Sequence, residues 1–303
     1  KRLVIAGLAG VVLIVMVTLG GVIALNTVNQ RAEEQVRGQI EEAIATSSMA
    51  DSISYGEIDV HAASGRVEIR DLGLEEEDGA VRADALTVEM PRSEALALSR
   101  NPEEATLTDV IATISGVDLQ ESYEDIAFSL EELTVELQGQ VPTALFSENP
   151  EAVVEDPENG IRLVRVDLTG SSLAFPEDSG TLELGGSSFA LEGDLRFAEL
   201  AEAGETGDYA FLLRELASIS FELSELALLL TDQAREELLA GIEGLFGPLP
   251  LLQDPENWRV ESLRFGGGVT EEAVQLSDLS ASTALVDFTG AASLGLSSDL
   301  EPL

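Results

Sequence analysis

The feature that most constrains the fold is an apolar alternation that changes phase partway along several runs beyond residue 50. In the stretch SGRVEIRDLGLEEEDGAVRADALTVEM, Val67 and Ile69 share one parity, whereas Leu72 and Leu74 take the other. Side chains on a strand alternate between two faces, so one additional residue moves the following apolar set to the opposite face. A β-bulge absorbs such a residue and adds bend and twist. The pattern therefore predicts bulged, bent strands.

The same change of phase recurs in four later runs. In each run, one set of alternating apolar residues is followed by a second set of the opposite parity. The first two runs change from 110–114 to Val117 and Leu119, and from 126–130 to 133–137. The last two change from 219–223 to 226–230, and from Trp258 and Val260 to Leu263 and Phe265. Strands that bend at a similar depth predict a mainly β fold, with one long, bulged, curled antiparallel sheet whose apolar residues line the inside of the curl. The alternative is an ordinary closed core, in which the sheet folds over itself and helices cover its apolar face.

The curled-sheet interpretation predicts an apolar groove. We expect nine side chains to line it: Leu72, Leu74, Leu86, Val88, Val117, Leu133, Val135, Leu226 and Leu228. Removing each such side chain from water contributes about 1.5–3 kcal/mol, so an open groove of this size is costly unless something fills it. A lipid or another apolar ligand is the expected occupant.

The β region is expected to form two units with few helices. The first β unit covers 51–141, a connection with three prolines covers 142–160, and the second β unit covers 161–303. Within the second unit, TDQAREELLAGIEGLF predicts a covering helix near 231–246, and AELAEAGETGD at 198–208 is expected to be an exposed loop. A short helix is also expected in PRSEALALSR, because proline suits the start of a helix.

The first fifty residues predict a membrane anchor and a stalk. Residues 3–25 carry no charge and are long enough for the roughly 30 Å of a bilayer core, so 1–26 is expected to be a transmembrane anchor. Lys1 and Arg2 predict a cytoplasmic N-terminus and a main domain outside the cytoplasm. A cleaved signal peptide is the alternative. Residues 27–50 predict an amphipathic helical stalk, and anchor and stalk together offer surfaces for a membrane-protein partner or a second copy.

The charge balance excludes one large class of partners. The chain has 57 Asp and Glu against 16 Lys and Arg, giving a net charge of −41. Such a field repels the phosphate backbone, so nucleic acid is not an expected partner. The acids are spread along the whole chain, and we interpret them as adaptation of the surface to a salty environment, where the Debye length at molar salt is roughly 3 Å.

The sequence contains no recognisable catalytic or metal-binding pattern. The chain has no cysteine, and His61 is its one histidine. No serine stands in a GxSxG context. The acidic run at 75–79 offers oxygen ligands for a weak calcium site, but it lacks EF-hand spacing and is better interpreted as a solvated hairpin tip. FGGGV at 265–269 lacks the lysine of a phosphate loop. We therefore expect no enzyme activity, no catalytic residue, no metal and no cofactor.

The stretch GRVEIRDLGLEEEDGAVRADALTVEMPRSEALAL resembles the N-terminal segment of AsmA-like proteins. The matching residues are Val67, Ile69, Asp71, Leu72 and Leu74, then Ala83, Asp84, Leu86, Thr87 and Val88, then 94–98. The resemblance implies an inner-membrane-anchored, periplasmic protein whose lipid-lined β groove serves envelope lipid transport or homeostasis. Long members of that family bridge two membranes, and 303 residues are too few for such a bridge. The alternative is a non-catalytic scaffold or accessory subunit of a larger membrane-associated assembly.

Overall fold

The computed structural model describes residues 52–61, 64–76, 79–100, 105–121, 126–146, 154–176, 179–206, 215–247, 250–269, 273–283 and 286–295. The predicted anchor and stalk lie outside these ranges. Among the described residues, no helix has the length and apolar character needed to cross a bilayer.

The described residues form twelve strands and three α-helices. The strands are β1 Ile53–Ser54, β2 Ile58–His61, β3 Arg66–Glu76, β4 Gly79–Glu89, β5 Thr106–Glu121, β6 Ile126–Pro142, β7 Gly160–Ala174, β8 Gly180–Arg196, β9 Leu216–Leu230, β10 Arg259–Val269, β11 Ala273–Thr283 and β12 Asp287–Gly295. The helices are α1 Arg92–Arg100, α2 Phe197–Thr206 and α3 Asp232–Phe246, and 3₁₀ turns occupy Thr143–Phe146, Pro250–Gln253 and Pro255–Trp258.

All twelve strands belong to one antiparallel sheet. From β3 onward each strand pairs with the next one in sequence, and β1 and β2 both pair with the free edge of β3. The sheet is not closed, because β12 lies at the opposite end from β1. The expected mainly β, antiparallel fold with few helices is confirmed. Strands β6 and β7 flank the predicted connection at 142–160 and pair with each other, so the two predicted β units share this sheet.

The change of phase in β3 and β4 is not a β-bulge. Arg70 pairs with Ala85 and Leu72 pairs with Ala83, so one residue is skipped on each strand and the register is unchanged. A bulge places two residues opposite one and shifts the register. The prediction of bulges at these positions was therefore wrong: paired strands change phase together at the same depth.

This paired interruption crosses the sheet from strand to strand. We call the residues that face one another there the phase-change row: Gly56, Asp71, Asp84, Gly116, Glu131, Gly170, Gly185, Glu225 and Glu261. No register shift accompanies the row from β3 to the β9–β10 pair. A shift appears at its far end, between Val260 and Ser262 in the pairing of β10 with β11.

Left-handed backbone accompanies the change of phase on four of the strands. Positive φ angles occur on every second strand of the phase-change row, at Asp71 (53°), Gly116 (61°), Gly170 (56°) and Glu225 (56°). A residue in this conformation rotates the chain, so the apolar residues on both sides of it face the same way. In β3, Ile69 and Leu72 are three residues apart, yet both are buried in one core cluster.

Register shifts do occur on the central strands, but near the strand ends that lie away from the phase-change row. They lie between Leu107 and Asp109 in the β5–β6 pairing and between Ile161 and Leu163 in the β7–β8 pairing. At the first of these, the buried Glu94 of α1 accepts a hydrogen bond from the Thr108 amide at 2.9 Å and another from its hydroxyl. The helix after β4 thereby satisfies backbone that the irregular ladder leaves unpaired.

The helices match the sequence-based expectations except at one position. α1 and α3 form where they were predicted, and Thr231 caps α3 by accepting a hydrogen bond from the Ala234 amide at 3.3 Å. The expected loop at 198–208 was wrong, because Phe197–Thr206 is the helix α2. Its alanines, leucine and glutamates are strong helix formers, and Ala203 is buried.

The core lies on one face of the first half of the sheet. Its cluster of buried residues comes mainly from β2 to β6, together with Ala95 of α1. The largest fully buried side chains are Ile58, Val67, Ile69, Leu86 and Val88.

Candidate apolar binding face

One face of the sheet is apolar along almost its whole width. Directly paired residues of neighbouring strands point to the same face, so the pairing defines cross-strand rows. One row contains Ile69, Leu86, Ile114, Leu133, Leu168, Ser187, Leu223 and Leu263, and the next contains Val67, Val88, Ala112, Val135, Val166, Phe189, Phe221 and Phe265. Beyond the phase-change row the same face continues through Val117, Leu130, Ser171, Leu184, Leu226 and Val260, then through Leu119, Phe128, Leu173, Leu182 and Leu228. We call this surface the apolar face.

The opposite face is polar. One of its rows contains Thr87, Thr113, Thr134, Asp167, Ser188, Glu222 and Arg264. The Thr113 and Thr134 hydroxyls share a hydrogen bond of 3.1 Å, and Arg264 pairs with Glu222. Near the first edge, Arg70 donates to Glu68 at 2.7 Å, and this hydrogen bond holds the pKa of the Glu68 carboxyl below its usual value. The sheet is therefore amphipathic.

The apolar face is buried in one half of the sheet and partly exposed in the other. In β3 and β4 its side chains are enclosed, and Leu86 and Val88 are 0% exposed. In the central parts of β7 to β10 the same rows are all only partly buried, including Val166, Phe189 and Leu223. Apart from Ser187, both rows stay apolar across the sheet, so the difference in burial follows the cover over them.

Helices lie near the ends of the strands in the second half. α2 follows β8 and lies against it, and α3 follows β9 and lies against that strand. In α3, Leu239 is 8% exposed but its neighbour Leu238 is 41% exposed, so the two leucines are not covered equally. At the α2 end of β8 and β9, Leu195 and Leu216 are buried, while the middle of these strands stays partly open.

The nine residues predicted to line a groove all lie on the apolar face. Five of them are buried, namely Leu72, Leu74, Leu86, Val88 and Val117, and four are partly exposed, namely Leu133, Val135, Leu226 and Leu228. The first five are closed to a ligand in this conformation. Any ligand contacts would be made by the last four and by their neighbours on β7 to β10.

Three phenylalanines of the partly exposed surface were not among the residues predicted to line the groove. Phe189, Phe221 and Phe265 occupy adjacent strands of one row, and the rings of Phe221 and Phe265 stack with centroids 5.3 Å apart. The sequence pattern could have grouped them, because each phenylalanine lies the same number of residues from the phase change of its own strand. Aligning strands on that change, rather than on turns, brings the three together.

A concavity of about 910 Å³ lies on the polar face beside the phase-change row. Five of its lining residues form a single cross-strand row: Ser129, Ser172, Glu183, Ala227 and Arg259. The acids Glu131, Glu225 and Glu261 also line it, as do Leu184, Leu226 and Val260. Among the described residues, no cluster of three metal-ligating side chains is present. The concavity therefore shares Leu226 with the predicted apolar groove.

Comparison with known proteins does not assign this chain to a family. No protein-family model, curated protein or solved structure matches this chain. The resemblance of the first hairpin to AsmA-like proteins stays a prediction.

Proposed function

We propose that the partly exposed apolar face on β6 to β10 binds a lipid or another apolar ligand. The observation that carries this proposal is the contrast in burial along single cross-strand rows. Val88 and Phe189 belong to the same row, but the valine is enclosed in the core and the phenylalanine is partly open to water. Contiguous apolar surface that is only partly covered is typical of a site of interaction.

The dimensions of the surface suit an extended apolar chain. Strands in a sheet lie about 4.8 Å apart, so the four spacings from β6 to β10 cover roughly 19 Å. Several apolar rows run side by side in that direction. Each partly exposed side chain that a ligand removes from water adds stabilisation of up to about 1.5–3 kcal/mol.

The proposed location of this site beside a membrane is inferred from the sequence. The uncharged span 3–25, with Lys1 and Arg2 before it, supports a single-pass anchor whose main domain lies outside the cytoplasm. A domain held beside a bilayer has ready access to lipid. We therefore propose a role in envelope lipid binding or transfer, without catalysis.

A scaffold function is the second candidate. The same exposed apolar rows can be covered by a partner protein, and the predicted stalk at 27–50 gives such a partner a second surface. Native mass spectrometry of the purified full-length chain separates the two. Lipid adducts on the chain support the binding function, whereas stoichiometric protein partners without lipid support the scaffold.

A matched pair of double variants tests the site itself. Val166→Glu with Leu223→Glu adds two charges to partly exposed positions of the apolar face on β7 and β9. Thr169→Glu with Ser220→Glu adds the same charges to exposed positions of the polar face on the same strands. We expect the first protein to stay folded and lose bound lipid, and the second to keep both.

Two outcomes would contradict ligand binding at this face. If the first double variant unfolds while the second does not, the face is part of a closed core, because buried charges without partners are strongly destabilising. If both variants retain lipid equally, the ligand binds elsewhere. Substitution of Val88 is unsuitable for this test because its side chain is fully buried.

A further inference from the structure

At the end of the sheet, β12 has one edge that no other described strand covers. β12 pairs with β11 alone among the described residues. An unpaired edge presents a row of backbone N–H and C=O groups that can accept another strand. β12 has nine residues, and its Phe288 and the preceding Val286 are 51% and 62% exposed.

The opposite edge of the sheet is protected. There, β1 has two residues and β2 has four, and both cover β3 in separate short pieces. Arg70 reaches across to Glu57 and Asp59 at 3.4 Å each, which adds charged side chains to that edge. Short strands and charges are the usual means by which an edge is kept from pairing.

β12 has few of these protective features. Its sequence, DFTGAASLG, contains no lysine, arginine or proline, and its one charged residue is Asp287 at the start. In a chain of net charge −41, the strand at this edge carries a single negative charge.

We propose that β12 pairs antiparallel with β12 of a second copy of this chain. With full overlap, the two-fold axis passes through Ala291, the central residue of the strand. The two Asp287 residues then lie at opposite ends, eight positions or about 26 Å apart, which exceeds the Debye length at physiological salt. A parallel pairing would place these two carboxylates side by side.

The symmetry of this contact makes a closed dimer. Identical edges joined by a two-fold axis form an isologous interface, and the protected edges of β3 face outward and do not extend the assembly. An antiparallel edge contact requires an axis perpendicular to the sheet. The apolar faces of both copies therefore lie on the same side and meet along β12, where Phe288 pairs with Ala281 of the apolar face.

Single cysteines give a direct test, because the chain has none of its own. Opposed residues of antiparallel strands have Cα atoms about 4.5–5.5 Å apart, which a disulfide can bridge. Ala291→Cys should cross-link to its own copy under mild oxidation at molar salt. Asp287→Cys, the matched control on the same strand, should not.

Sedimentation of the full-length chain in detergent completes the experiment. We expect a dimer at molar salt that dissociates as salt is lowered, since repulsion between the two acidic copies then reaches further. Equal cross-linking of Asp287→Cys and Ala291→Cys, each to its own copy, would indicate parallel pairing and overturn the proposal. Cross-linking of Asp287→Cys alone, a monomer at molar salt, or a dimer in which neither cysteine reacts would also overturn it.

Discussion

Gly116, which lies in the phase-change row, is expected to be intolerant of a side chain. Its φ of +61° is a conformation that glycine adopts freely and other L-residues adopt at a cost. A Cβ added there would also overlap the carboxylate of Asp84 on the neighbouring strand. Gly116→Ala therefore meets two separate penalties.

The size of the effect follows from these two penalties. The left-handed conformation costs a residue with a side chain about 1–2 kcal/mol, part of which the stiffer unfolded chain offsets. Displacement of the Asp84 carboxylate adds to it. We expect Gly116→Ala to lower the free energy of unfolding by about 2 kcal/mol, and Tm by about 4–8 °C for a domain of this size.

A double-mutant cycle separates the two penalties. Asp84→Ala removes the carboxylate, which makes the closest contacts, but keeps the Asp84 Cβ position at 2.9 Å and leaves the backbone conformation unchanged, so Gly116→Ala should cost less in that background but still destabilise the protein. Gly241→Ala is the control, because it lies within α3 with no heavy atom within 4 Å of the added Cβ. It should stabilise the protein by about 0.5–1 kcal/mol. The reasoning is refuted if Gly116→Ala is as stable as the parent protein, or if Asp84→Ala does not reduce its cost.

Three further predictions concern charge and topology. Because 57 acids face 16 basic residues, Tm should fall as salt is lowered from molar to millimolar concentration, and an unchanged Tm in thermal scans would contradict this. Burial, followed by the nearby Glu215, raises the pKa of Glu199, and one carboxylate oxygen of Glu199 has no hydrogen-bond partner among the described residues. A folded-state pKa above the unfolded value means that the stability contributed by protonation is lost as pH rises through the folded pKa. Glu199→Gln should therefore gain in Tm over the parent as pH rises from below the ordinary carboxyl range to neutrality. The exposed Glu236→Gln on α3 serves as control, and an equal gain in both would count against the assignment. Protease added to sealed spheroplasts should remove the chain beyond about residue 30, and full protection would exclude the proposed topology.

Much of the fold could be predicted from alternation alone. The strands, the antiparallel arrangement and the depth of the phase change are local properties, written in positions such as Val67, Ile69 and Leu72. The helix α2 was missed because its glycine and acids resemble a loop, although its alanines favour a helix.

Two features could not be predicted because they depend on neighbouring strands. An extra residue in β3 gives the same sequence pattern whether or not β4 has an extra residue opposite it. The paired interruption at Asp71 and Asp84 was therefore interpreted as a bulge. Alternation also cannot distinguish a row that is covered from a row that is open. Leu86 and Leu223 occupy the same cross-strand row, and only the three-dimensional cover over the first makes it inaccessible.

The central claim is that the apolar face on β6 to β10 is the surface that receives a ligand. Photolabelling of the full-length chain with a lipid that carries a diazirine on its acyl chain tests it most directly, with labelled positions mapped by peptide mass spectrometry. We predict labels on partly exposed residues of that face, such as Val166, Phe189 and Leu223, and none on Leu86 or Val88. Labels confined to the polar face, or no label above that of a heat-unfolded sample, would contradict the claim.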